Sequence, residues 1–205
     1  MGATNKEVFM SGSFSYRIYS LFFLILFIFC FLFLLLLYTT KTPISLSPST
    51  SSTPLHTSDL WPCPGYTRIS SPFGPRSKPT GGASSFHSGI DIPAPSGTQL
   101  ISVADSTVLF TGFKGADGYT IVLQSGIFQF IYGHVSPQFI VSVGQNIGRG
   151  QKIGQVGPKI VPASPQNPYR DSKGNPTNGA TTGEHLHFTI KKDNQAINPL
   201  DYLTF

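Results

Sequence analysis

Residues 183–191 read Gly183-Glu184-His185-Leu186-His187-Phe188-Thr189-Ile190-Lys191. From His185 onward polar and apolar side chains alternate strictly, the pattern of a β-strand, in which residues two apart share a face. A strand over His185–Lys191 therefore points His185 and His187 to one side and Leu186 and Phe188 to the other. Two imidazoles side by side are uncommon in a core, because a buried imidazole without a partner costs desolvation free energy. Glu184, immediately before the pair, faces away from it and reads as a surface residue.

The same short alternating pattern recurs upstream. Leu100–Ala104, Thr107–Gly112, Tyr119–Gln124, Phe128–His134 and Lys152–Val156 read as strands, punctuated by Asp-Ser, Gly-Ala-Asp-Gly, Ser-Gly and Gly-Arg-Gly-Gln turns. No stretch of this region carries a 3.6-residue apolar stripe of helical length. Residues 61–205 thus read as one all-β domain, long enough for a two-layer core with little to spare. Within it a Gly-Gln-x-Ile unit occurs twice, at Gly144–Ile147 and Gly150–Ile153, and reads as two tight turns entering strands.

Four of the five histidines fall in this domain, at three places. His87 and Asp91 lie four apart in Phe86-His87-Ser88-Gly89-Ile90-Asp91-Ile92, where a loop enters a strand, and His134 closes Tyr132-Gly133-His134. With His185 and His187, this inventory supplies two imidazoles and a carboxylate for a metal ion and leaves two imidazoles over. Nitrogen and oxygen donors suit Zn²⁺, and a three-ligand site keeps a fourth position open for water, the catalytic arrangement. No His-Glu-x-x-His pattern supplies a glutamate base, so histidines would do the proton work, for which their pKa values suit them. The fifth histidine, His56, lies alone in a polar stretch.

The amino-terminal part is unlike the rest. Residues 18–38, Ile-Tyr-Ser-Leu-Phe-Phe-Leu-Ile-Leu-Phe-Ile-Phe-Cys-Phe-Leu-Phe-Leu-Leu-Leu-Leu-Tyr, contain no charge, Pro or Gly. As a helix they would span about 31 Å, matching a hydrocarbon core of about 30 Å. Tyr16, Tyr19 and Tyr38 sit where interfacial aromatics belong, and Cys30 reads as a small apolar filler. A retained transmembrane anchor is the expectation; a cleaved signal peptide is the alternative, disfavoured by the length of the apolar run and the lack of an Ala-x-Ala-like site. Lys6 and Arg17 precede the span and Lys41 follows it, which favours a cytoplasmic amino-terminal tail over 1–17. Residues 39–60 are mostly Ser, Thr and Pro and read as a semi-extended stalk.

Composition narrows the function classes. Fourteen Lys+Arg against nine Asp+Glu leave +5, but the charges are scattered, so no nucleic acid is expected as a partner. Cys30 and Cys63 are too few for a disulfide framework; Cys63 reads as a buried thiol, with an intermolecular disulfide as the alternative.

With these pieces in order, the chain resembles the lysostaphin-type (LytM-like) zinc metallopeptidases, which cut peptides of bacterial peptidoglycan. The resemblance runs from Trp61 to Leu203. It is carried by Trp61-Pro62, Ile69-Ser70-Ser71-Pro72-Phe73-Gly74-Pro75-Arg76, the stretch from Phe86 through Ile92 to Thr98, Tyr132-Gly133-His134, the Gly-Gln repeat, His185-Leu186-His187-Phe188 and Asn198-Pro199-Leu200. It implies an antiparallel β-sheet groove with one Zn²⁺ per chain on its floor. By motif, His87, Asp91 and His187 resemble the zinc ligands, and His134 and His185 the catalytic pair. The implied substrate is a peptidoglycan cross-bridge or stem peptide, which would put the domain on the extracytoplasmic side of a single-pass cell-membrane anchor. Two other readings stay open: a non-catalytic domain of this fold that binds wall or activates another hydrolase, and, more distantly, a phosphocarrier with facing histidines. The chain departs from the family pattern in one place. Gly157 and Gly183 are joined by a long Pro-, Asn- and Gly-rich segment, an insertion over 158–182, where a short loop is usual. It should lie beside the groove, as a lid, a selector, a plug or a tolerated surface insertion.

Overall fold

The computed structural model describes Tyr19, residues 22–33, 60–80 and 82–203, and groups the chain into two units, Met1–Thr50 and Ser51–Phe205. In the first unit residues 22–33 are helical. They lie inside the apolar span expected over 18–38; the rest of that span, the tail over 1–17 and nearly all of the stalk lie outside the described residues. Among the described residues no helix is long and apolar enough to cross a membrane.

The second unit is built of antiparallel strands. In chain order these are β1 (Gly74–Pro75), β2 (Phe86–His87), β3 (Ile90–Ile92), β4 (Gln99–Ile101), β5 (Ser106–Phe113), β6 (Tyr119–Ser125), β7 (Phe128–Gly133), β8 (Asn146–Ile147), β9 (Lys152–Gln155), β10 (Leu186–Lys192) and β11 (Gln195–Ile197). Seven form one sheet in the order β11-β10-β7-β6-β5-β8, with β3 also paired to β10; β1-β2 and β4-β9 are separate two-stranded ribbons. Two 3₁₀ turns, Gly115–Asp117 and Pro199–Asp201, are the only helical elements among the domain's described residues.

Five of the six strands expected from the sequence form to within a residue or two of their expected bounds. The sixth stops early. Ser102 and Ser106 both donate hydroxyl hydrogen bonds to the Ala104 carbonyl, at 2.6 and 3.0 Å, turning the chain where Leu100–Ala104 was expected to continue as a strand. His134 likewise lies past the end of β7, with a left-handed φ of 55°. The Gly-Gln repeat is a pair of matched turns: Oε1 of Gln145 accepts from the Ser142 N–H at 3.1 Å, and Oε1 of Gln151 from the Gly148 N–H at 3.0 Å. Each glutamine closes its own turn before β8 or β9.

The core lies between the main sheet and the β4-β9 ribbon. Leu186, Phe188 and Ile190 of β10, Phe130 and Tyr132 of β7, Ile90 and Ile92 of β3, Leu100 of β4 and Ile153 of β9 are essentially inaccessible to solvent. Each such side chain contributes about 1.5–3 kcal/mol of transfer free energy. Cys63 is buried there too, and desolvation raises its thiol pKa to about 11, so it is held as an inert packing residue. Tyr132 is the one large polar group at the centre. Its hydroxyl accepts from the Val103 N–H at 3.2 Å and donates to the Ile101 carbonyl at 3.0 Å, tying the central sheet to the end of β4. Tyr132→Phe strands both buried backbone groups and should lower unfolding stability by about 1–3 kcal/mol, read as a shift of the urea midpoint of the domain.

Candidate metal centre

His187 sits in β10 where two neighbours flank it at once. The register places Asp91 of β3 directly opposite on one side and Gly133 of β7 on the other. Asp91 can come this close because Gly89, at the turn into β3, passes against β10; a Cβ on Gly89 would run into the Phe188 carbonyl and the Thr189 hydroxyl. His87, at the end of β2, reaches the same point. Its Nε2 lies 3.0 Å from Nδ1 of His187 and 3.1 Å from Oδ1 of Asp91, and His187 Nδ1 lies 2.9 Å from that oxygen.

The protonation pattern of this cluster follows from its other partners. His87 Nδ1 is 2.8 Å from the Pro72 carbonyl, which can only accept, so Nδ1 carries the hydrogen and Nε2 presents its lone pair inward. His187 Nε2 is 3.1 Å from the Thr189 hydroxyl, leaving Nδ1 to face His87 and Asp91. For Asp91, burial opposes the charged carboxylate. Protons carried on the facing nitrogens of His185, His187 and His87 in place of an ion outweigh it and hold the group well below the usual carboxylate range. Arg76 also bonds this carboxylate, its Nη1 donating to Asp91 Oδ2 at 3.2 Å and to the Ser71 hydroxyl at 2.6 Å. Two nitrogen lone pairs and a carboxylate oxygen about 3 Å apart attract one another only with positive charge between them. Two nitrogens and an oxygen within reach of one ion, each anchored by a second partner, are a donor set that fits zinc.

His134 and His185 stand beside this cluster with ring centroids 4.6 Å apart, edge to face. His134 Nδ1 donates to the Asn178 carbonyl at 2.6 Å and His185 Nδ1 to the Gly183 carbonyl at 3.0 Å. In both rings Nε2 is left as the basic atom, and His185 Nε2 lies 3.5 Å from Asp91 Oδ1. Burial, then the charges of His185 and His187, push the His134 imidazole well below its ordinary pKa, so it is neutral at physiological pH. All four imidazole rings and the Asp91 carboxylate line one groove of about 440 Å³, together with Arg76 and Asp117.

The structure thus brings together every residue singled out from the sequence: His87, Asp91 and His187 as one donor cluster, His134 and His185 as an adjacent pair. It adds others the sequence did not mark. Asp117 Oδ1 lies 3.9 Å from His187 Nε2, and its backbone carbonyl accepts from the His134 N–H at 2.7 Å. Glu184 is exposed, as expected, but its carboxylate also accepts from the Ser96 N–H at 2.9 Å. Arg76 was within a motif already quoted, yet nothing local showed that it would reach Asp91.

Residues 85–168 match the sequence profile described as Peptidase family M23. The domain belongs to that family. The profile covers His87, Asp91 and His134; His185 and His187, beyond its end, are joined to the M23 domain by the geometry above. The DD-carboxypeptidase/endopeptidase Mpg of Neisseria meningitidis is 34% identical over 137 residues, covering 66% of this chain and 27% of that protein. A zinc-containing peptidase from Vibrio cholerae superposes with a TM-score of 0.52 at 26% identity, over 69% of this chain and 38% of that one. The Escherichia coli murein hydrolase activator NlpD is 26% identical over 155 residues, 75% of this chain and 33% of that protein. The chain spans about a quarter of the length of the first curated relatives it matches. The antiparallel β-fold is that of lysostaphin-type M23 domains.

Because Gly89 sets the approach of β3 to β10, Gly89→Ala should part Asp91 from His187. Zinc affinity measured by calorimetry is expected to fall by about 10–100-fold, the usual range when the support of a metal ligand is disturbed.

Proposed function

We propose that this chain is a membrane-anchored zinc metalloendopeptidase that hydrolyses peptide bonds in peptidoglycan. One observation carries the reading: His87 Nε2, Asp91 Oδ1 and His187 Nδ1 converge on one point in the floor of a groove, with His134 and His185 paired at its side. Held by His87, Asp91 and His187, one zinc ion would supply a Lewis acid for the scissile carbonyl and lower the pKa of a water at its fourth position.

The chain's own residues then divide the proton work. His134, neutral and with Nε2 basic, takes the proton lost by the attacking water. His185, its Nε2 beside Asp91, stabilises the oxyanion that forms on the carbonyl by donating from Nε2 as the imidazolium. The proton then passes from an imidazolium to the departing amine, leaving a carboxylate and a free amino end. Groups placed in this way are worth about 10²–10⁴-fold each. The wall as substrate is supported by the named activity of a Vibrio cholerae relative, the peptidoglycan DD-endopeptidase ShyA, 29% identical over 142 residues, 68% of this chain and 28% of that protein. The anchoring rests on the uncharged span over 18–38, and the charge bias around it favours a cytoplasmic tail and an extracytoplasmic domain. Resemblance to a murein hydrolase activator favours a second reading, in which the domain stimulates another hydrolase and cuts nothing itself.

Purified wall digested with the protein, with and without a chelator, separates the two. Newly released amino and carboxyl ends seen by mass spectrometry, abolished by chelation and restored by zinc, are the expected result. Release that needs an added amidase supports the activator instead. Asp91→Ala and His187→Ala should lose bound zinc. His185→Ala should keep zinc and lose about 10²–10⁴-fold in turnover; full activity in that variant removes its assigned role.

A further inference from the structure

We infer that Asn178, near the end of the 158–182 insertion, is a positioning residue that fixes the tautomer and direction of the His134 imidazole. The inference rests on the proton-transfer role proposed for His134 and identifies what holds that ring.

The Asn178 carbonyl accepts from His134 Nδ1 at 2.6 Å. Because a carbonyl cannot donate, this contact selects the Nδ1–H tautomer and leaves Nε2 as the proton acceptor. The carbonyl itself is locked in place. Asn178 is wholly buried, its Oδ1 accepts from the Tyr119 N–H at 2.8 Å, and its Nδ2 donates to the Val135 carbonyl at 3.0 Å. Its own N–H donates to the Lys159 carbonyl at 2.9 Å, at the opposite end of the insertion. Through its side chain and its own backbone, one residue therefore ties together the first residue of β6, the residue after His134 and both ends of the insertion.

Three glycines leave room for this arrangement and for nothing larger. A Cβ on Gly118 would meet the Asn178 carbonyl, and one on Gly157 the Val135 carbonyl and the Asn178 amide. A Cβ on Gly179 would meet the Ala116 carbonyl and Gly118. His134 lies in the same ring of contacts. Its φ of 55° is uncommon for a residue with a Cβ, and it is held by a 2.7 Å bond from its N–H to the Asp117 carbonyl and a 2.8 Å bond from the Gly157 N–H to its own carbonyl. Removing the Asn178 side chain frees the Tyr119 N–H and the Val135 carbonyl, lets the Asn178 carbonyl shift, and allows His134 both tautomers. With Nε2 protonated in the neutral ring, a donor stands where a base is needed. The outer part of the insertion, around exposed Lys173, takes no part in this contact set.

Long-range ¹H–¹⁵N correlation spectra of the zinc-loaded full chain read the His134 tautomer directly. The wild-type chain is expected to show Nδ1–H; an Nε2–H ring overturns the inference whatever any variant does. Asn178→Ala is expected to show mixed tautomers, keep its zinc, and lose about 10–100-fold in kcat on wall peptides with KM nearly unchanged. Asn178→Asp, which retains the acceptor for Tyr119, should recover part of that loss, and Lys173→Ala should match the wild type throughout. A folded Asn178→Ala protein with wild-type kcat and an unchanged tautomer overturns the inference; should that variant not fold, Asn178→Asp carries the same readouts. A wild-type chain with a locked tautomer that cleaves no wall peptide counts against the proposed function and leaves the positioning role standing.

Discussion

β10 is paired over the same residues by β3 on one side and β7 on the other, and the geometry of the site descends from that register. It sets His187 level with Asp91 and with Gly133, so two of the three donor atoms meet by strand pairing alone. A one-residue slip of β10 would turn His187 into the core and bring Leu186 or Phe188 to the groove. Phe188 and Leu186, buried among Tyr132, Ile90 and Ile92, oppose such a slip with apolar burial. Hydrophobic packing on one face of β10 thereby enforces the electrostatic arrangement on the other.

That arrangement is unfavourable on its own. Acceptor atoms face one another, and three of the four histidines are denied the alternative tautomer by a carbonyl that can only accept: Pro72 for His87, Asn178 for His134, Gly183 for His185. Such tension is typical of sites where the fold maintains a geometry that local preferences would relax. Backbone carbonyls supply most of the restraint, which makes the site depend on the path of the chain as much as on its side chains.

The parts legible in the sequence were those whose physics is local. Alternation in β5, β6, β7 and β10 follows from which face is buried, and the spacing of His185 and His187 follows from strand geometry. Strands of two or three residues such as β1, β2 and β8 carry no period to detect, and they exist because longer neighbours offer them partners. The early end of β4 depends on two serine hydroxyls sharing one carbonyl, and the departure of His134 from β7 on contacts with Asp117 and Gly157. Asn178 lay in a segment marked only as a departure from the family pattern. Its partners at Tyr119, His134 and Val135 are distant along the chain, and no spacing rule connects them.

Arg76 links two ligands that lie four residues apart, at the end of β2 and in β3. Its guanidinium bonds both Asp91 and the Ser71 hydroxyl, and that hydroxyl lies 3.1 Å from His87 Nδ1. The imidazole and the carboxylate are therefore joined as jaws of a single preassembled clip, and His187 is the separate half that closes it. An incoming ion would meet a pair already at its working separation, so the entropy of gathering those two groups is lost when the chain folds and not when the ion arrives.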